Sequence, residues 1–494
     1  MSQQQDPVSV AIDFNEEVDY SKVSYTAVVS DLHLCEAEPP NRRHPLWKKF
    51  KTREFFFDED FAAFVHYIHE KAEGKTVELI LNGDIFDFDS VTSIPPAPSY
   101  HVSWLESRRG LDPEREKSIY KIETILRDHP LWVESVAWFI REGHRVVFVT
   151  GNHDLELSWI DVQKKILDGL QLDDGQRRRV RFVEWFYVSN QDTLIEHGHQ
   201  HDPYCCNKDP VNPVVVDYNR LLIRMPFGDL VSRYLSNGTG FFNPHVDSQF
   251  TLSAGGFVKA YVKYMIRAQP LLMWTAFWST VVIFVQTLRY ATLSALHNPL
   301  TIEDRIDEIA KKSNATPRQV RELQALFSQT VAESPMKILK ELWLDRAFLF
   351  LIGLFLLLYV FLVIDRIYSV SFYWMFVPIL LLAAPYFLYS RNVHSYVYQY
   401  KKPDEERLAM AGMITNTKRI IFGHTHVLRH EMVGAIEHLN PGTWSPAFQD
   451  VECTRRDGQQ AFVWISPADD GVGRQAKLLE VQNKNIQELT HVAR

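Results

Sequence analysis

Five short clusters gather the side chains that could do chemistry: Asp31-Leu32-His33, Gly83-Asp84-Ile85-Phe86-Asp87, Gly151-Asn152-His153-Asp154, His197-Gly198-His199 and Gly423-His424-Thr425-His426. Singly each is ordinary, since Gly-Asp is a common turn and Asn-His-Asp serves equally well as a helix cap. Together they supply carboxylates, imidazoles and a carboxamide. That mixed shell suits two divalent cations about 3.5–4 Å apart, provided that one carboxylate bridges them, and such a pair serves displacement at phosphorus. The i, i+2 spacing of Asp31 with His33, and of His424 with His426, fits extended backbone, where alternate side chains share a face.

The elements that must position these clusters read as an α/β pattern. Short apolar runs at 25–29, 77–81, 145–149, 182–188, 193–196 and 419–422 read as strands, and nearly every one delivers a cluster at its C-terminal end. Residues 61–72 and 119–140 have helical spacing and read as covering helices. After Pro210 the character changes: 214–235 and 257–267 look amphipathic and helical, and the tail beyond Gln482 reads as a solvated helix.

The insertion that follows contains three apolar stretches. Residues 347–364 and 367–389 run 18 and 23 residues without a charge, each long enough to cross a hydrocarbon core as a helix, with Asp365-Arg366 as the joint of a hairpin. The third, 270–285, is 16 residues interrupted by Thr275, Ser279 and Thr280, a borderline span. One active site built from both sides of the insertion needs an even number of crossings. The 347–389 hairpin therefore supplies two, and 270–285 is expected in the interface, re-entrant or packed on the hairpin. Between the apolar stretches, Ile302, Ile306 and Ile309 share one helical face and Val320, Leu323 and Phe327 another, with Thr316-Pro317 as N-cap and first residue. These two helices are expected to cap the domain or cover the substrate entrance.

The 494 residues, 46 % hydrophobic and 23 % charged, exceed one domain. The net charge of −8 argues against a broad nucleic-acid surface, and four cysteines without a CxxC pair argue against a disulfide framework or a zinc ribbon. The polar N-terminus has no signal-like segment, and basic residues flank the insertion (Lys259, Lys263, Arg267, Arg391, Lys401, Lys402). The expected location is the cytoplasmic membrane, with the catalytic domain facing the cytoplasm.

In this order the five clusters resemble the calcineurin-like metallophosphoesterase superfamily, whose pattern is DxH, GDxxD, GNHD/E, a lone His and GHxH. The resemblance implies a calcineurin-like β-sandwich flanked by helices, in two parts (20–210 and 390–480); the helical insertion (211–346) and the transmembrane hairpin (347–389) between them are not accounted for by the family pattern. It implies Asp84 as the bridge, with Asp31, His33, Asp84 and His426 at one metal and Asp84, Asn152, His197 and His424 at the other. His153 would then lie near the scissile phosphate and protonate the leaving oxygen, oriented by Asp87. The shell suits manganese or iron, with zinc also compatible. His197 is preferred to His199 from its place in the family's HG pattern. The closest branch contains the UDP-2,3-diacylglucosamine pyrophosphatases, implying a phosphorylated small molecule or lipid-linked substrate, although many of its members carry arginine where this chain has His153. Competing readings are a membrane-tethered phosphodiesterase or nuclease, and a non-catalytic scaffold.

Overall fold

The computed structural model describes residues 18–240, 262–263, 271–296, 299–392, 404–456 and 459–489. The region read as helical at 257–267 lies outside them except for 262–263.

Two sheets stack face to face. The larger has the order β15 (Asn485–Glu488), β14 (Arg474–Gln482), β13 (Ala461–Pro467), β1 (Tyr25–Val29), β2 (Val77–Asn82), β3 (Arg145–Val149), β4 (Val180–Val183), and its β1–β4 half is parallel. The smaller has the order β11 (Arg429–Val433), β12 (Ile436–Asn440), β10 (Arg419–Ile421), β6 (Thr193–Glu196), β5 (Phe186–Ser189), with β12, β10 and β6 parallel. The period of two in each strand sorts the core. Val28, Ile80, Val147, Ile195, Ile421 and Leu439 meet between the sheets. Their neighbours Ala27, Val29, Leu79, Leu81, Val146 and Phe148 face the helices Asp58–Lys71, Arg115–Asp128, Pro130–Arg141 and Ile160–Gly169. Phe186, Leu194, Ile420 and Phe422 face the helices Pro299–Lys312, Pro317–Gln324 and Glu405–Thr415 on the opposite side. The helix pair in the insertion thus covers the outer face of the smaller sheet, and Thr316 caps the second helix in a reciprocal capping box with Gln319.

Several local readings are corrected. The run 182–188 is two strands, because the chain crosses from the larger sheet to the smaller at Glu184-Trp185, with Trp185 fully buried. The helix expected over 119–140 breaks at Pro130, which cannot donate in a helix interior and instead starts the next helix. Residues 214–223 form a hairpin, β7 (Val214–Asp217) and β8 (Arg220–Ile223), extended by β9 (Ser294–Ala295). The triple-valine run favours strand, and only Phe227–Val231 and the turn after it are helical. Beyond Gln482 the chain forms the strand Asn485–Glu488 rather than a helix, turned back by Asn483 and Lys484, both at positive φ.

The borderline stretch becomes the helix Leu272–Thr292. It packs on the catalytic side of the molecule, where Ile283 and Tyr290 join Leu222, Leu230, Ile338 and Leu344 in one cluster. Two helices, Leu344–Tyr368 and Phe372–Ser390, are long and apolar enough to cross a membrane. The turn between them falls at 369–371, after the Asp365-Arg366 pair.

Candidate metal centre

Every cluster sits just beyond the C-terminal end of a parallel strand, the edge of an α/β sheet where connecting loops converge. The loops after β1 and β2 are tied together by backbone bonds: Asp31 N–H to Gly83 O (3.1 Å), His33 N–H to Asp84 O (2.8 Å) and Leu34 N–H to Ile85 O (2.9 Å). The loop after β10 joins the one after β6 through Gly423 N–H to His197 O (2.9 Å). The segment after β12 closes the assembly. Trp444 and Ser445 donate their N–H groups to Asp31 O, and Asn440 Nδ2 donates to Gly423 O (2.8 Å).

The extended backbone expected for the two i, i+2 pairs is not what aligns them. Asp31 (φ 56°), His33 (φ 49°), His424 (φ 64°) and His426 (φ 55°) are all left-handed, and so is Asp84 (φ 48°). For a non-glycine residue this conformation costs about 1–3 kcal/mol and persists only where the surroundings impose it. Five such residues in one site mark backbone bent to aim side chains. The glycines of the motifs permit the crowding: a Cβ on Gly151 would lie 2.3 Å from Asp84 Oδ1, and one on Gly423 only 1.9 Å from Ser30 Oγ.

Asp84 is central. Its Oδ1 accepts from His153 N–H (2.9 Å), while its Oδ2 lies 3.2 Å from His197 Nε2 and 3.8 Å from His33 Nε2. Burial would raise this carboxyl, but His197, His153 and His33 together hold it well below the usual range. Asp31, His33 and His426 bring their donor atoms into one group, and Asp84, His197 and His424 into a second. His426 Nε2 lies 3.2 Å from Asp31 Oδ1, and His33 Nε2 and His426 Nε2 point at each other across 3.2 Å. Asn152 Oδ1 is buried without a hydrogen-bond partner among the described residues. Imidazole nitrogens nose to nose beside buried carboxylates and an unsatisfied amide oxygen are what a pair of divalent cations would resolve, so the donor set fits.

His197 points its Nε2 at Asp84 and its Nδ1 at Asn82 O (3.0 Å). His199 turns Nε2 toward the Gln200 amide (3.0 Å), and burial, then His197 and His424, depress its pKa well below normal. His201 Nε2 lies 3.3 Å from Glu196 Oε1.

Three carboxylates escaped the sequence reading. His153 Nδ1 is 3.5 Å from Asp89 Oδ2 and 3.8 Å from Asp87 Oδ1, so the nearer carboxylate is Asp89, while Asp87 also accepts from Ser90 N–H (3.0 Å). Burial would lower the His153 pKa, but Asp84, Asp89, Asp229 and Asp87 carry it well above its usual value. Asp229 accepts from Asn152 Nδ2 (2.9 Å), which leaves Asn152 Oδ1 for the centre. Asp202 Oδ2 lies 2.9 Å from His424 Nε2. Asp89 continues the second motif by two residues and Asp202 ends the His-rich run, so both had local signals. Asp229 lies 77 positions from Asn152 and had none.

The family described as calcineurin-like phosphoesterase matches residues 25–233. The chain carries a calcineurin-like phosphoesterase domain. It is accordingly a metal-dependent phosphoester hydrolase. The phosphoesterase match contains Asp229 but stops well before His424 and His426, which the fold returns to the same edge. No curated protein and no solved structure matches the chain.

Proposed function

We propose that this chain is a membrane-anchored dinuclear phosphoesterase cleaving a phosphoester or pyrophosphate bond, with a lipid-linked nucleotide sugar as the substrate type. One cation would be held by Asp31, His33, Asp84 and His426, the other by Asp84, Asn152, His197 and His424. The observation that carries this reading is the Asp84 carboxylate, set between His33 and His197 with two donor groups converging on either side. When bound, the cations would supply Lewis acidity that acidifies water and offsets charge growing on the phosphoryl oxygens. The shell suits manganese or iron.

The chain's own residues do the rest. Asp84 is pinned through the His153 N–H, and Asn152 is oriented by Asp229. His153 keeps Nδ1 toward Asp89 and Asp87, so Nε2 is the nitrogen positioned to give a proton to the departing oxygen. The apolar pair of helices supports anchoring, and an anchored site suits a substrate that resides in the bilayer.

The test is hydrolysis by detergent-purified protein with manganese, comparing UDP-2,3-diacylglucosamine with bis-p-nitrophenyl phosphate and using Asp84→Asn as control. Mutant-sensitive turnover of the lipid supports the full reading. Turnover of the small diester alone removes the lipid-linked nucleotide sugar and retains the phosphoesterase.

A further inference from the structure

A cavity of about 640 Å³ lies between the short helix Glu106–Arg109, with Trp104 just before it, and the helix Leu272–Thr292, within the size range of ligand sites. Its lining is divided in character. Trp104, Trp278 and Val282 offer apolar surface, and the two tryptophans are 68 % and 49 % exposed. Arg108 and Arg109 offer two adjacent cations, and Arg109 Nη1 donates a long bond (3.5 Å) to the Arg108 carbonyl oxygen. The Arg109 guanidinium lies against Gly238, where even a Cβ would approach within 2.7 Å of Cζ. Burial, and after it Arg108, depress the Arg109 pKa, and an anion in the cavity would offset the like charge of Arg108.

The position of the cavity joins two regions already described. Asn237 lines it and donates to Asp89 O (2.7 Å), and the Asp89 carboxylate faces His153. The helix that forms its other wall shares a buried cluster with Leu344, the first residue of the longer apolar helix.

We propose that this cavity binds an anionic amphiphile drawn from the membrane, its anionic group on Arg108 and Arg109 and its chains against Trp104, Trp278 and Val282. The inference rests on the proposed phosphoesterase reading and deepens it by assigning a lipid-bearing substrate a binding cavity and the residues that hold it. The probe is a dioctanoylglycerol phosphonate, whose carbon–phosphorus bond is not hydrolysed, titrated onto the full metal-loaded chain in non-ionic detergent. Saturable binding is expected, weakened at least tenfold by Arg109→Met and separately by Trp278→Ser. Hydrolysis of bis-p-nitrophenyl phosphate should stay within about twofold of the parent in both variants, which also reports that they fold. Binding unchanged by both substitutions overturns the proposal, as does equal competition by methylphosphonate, which has no chains. If the parent chain fails to hydrolyse the diester while the phosphonate still binds and the variants still weaken it, the catalytic reading fails and the cavity assignment stands.

Discussion

Asn152 offers one face of its amide to Asp229 and the other to the centre, so the buried carboxylate decides which atom a cation meets. Outer carboxylates of this kind typically contribute 10–100-fold to metal affinity. Asp229→Asn is therefore expected to weaken manganese binding by about that factor, read by titration of bound metal, without moving the melting temperature by more than a few degrees. His153 makes the opposite prediction. His153→Ala should keep both cations by metal analysis and lose at least about 100-fold in turnover, the usual scale for a positioned proton donor. Loss of metal instead would place His153 in the ligand shell. Gly151→Ala tests the close approach of the loops, because its methyl must displace Asp84 Oδ1 from 2.3 Å. It should abolish turnover.

At the scale of elements, one buried imidazole beside a strand is instructive. His144, just before β3, accepts from Val77 N–H through Nδ1 (3.1 Å) and meets His69 Nδ1 through Nε2 (2.8 Å). Burial, followed by the charges of His69 and Arg179, lowers its pKa to about 4. The unfolded chain takes up this proton below about pH 6.5, and the folded chain only near pH 4. The neutral ring thus contributes stability that is complete above pH 6.5 and is lost as pH falls from 6.5 toward 4. Thermal midpoints measured across that window should fall less steeply in His144→Gln than in the parent. The capping box at Thr316 gives a second element-level expectation: Thr316→Ala should destabilise the helix Pro317–Gln324 by about 1 kcal/mol, visible as faster amide exchange there.

On the scale of the whole molecule, the apolar helices Leu344–Tyr368 and Phe372–Ser390 expose rows of Leu, Phe and Val side chains that no other element among the described residues covers. Such a surface needs lipid or another apolar partner. The full chain is expected to remain with membranes through alkaline carbonate extraction. Replacing Phe355 and Leu358 together by lysine should release it, since each charge near a helix centre costs about 2.5–3.5 kcal/mol on insertion. Retention of the double variant would assign attachment to other surfaces, among them Trp274 on the helix Leu272–Thr292 and Leu271 just before it.

From the sequence alone the five donor clusters were legible, but not Asp89, Asp202 or Asp229 beside them. Donor types, their order and their place after apolar runs were legible because strand length and the period of two are local properties, and the long uncharged runs were legible for the same reason. Readings failed where a neighbour overrode local pattern. The crossing at Glu184-Trp185 exists because two sheets compete for one run, and Val214–Asp217 is a strand because β8 and β9 pair with it. Tertiary structure alone decided the left-handed backbone at Asp31, His33, Asp84, His424 and His426, since that strain is held by bonds between loops far apart in sequence. It alone brought Asp229 to Asn152 and Asp89 to His153, because a buried polar group is satisfied by whatever the fold places beside it, and no sequence spacing encodes that proximity.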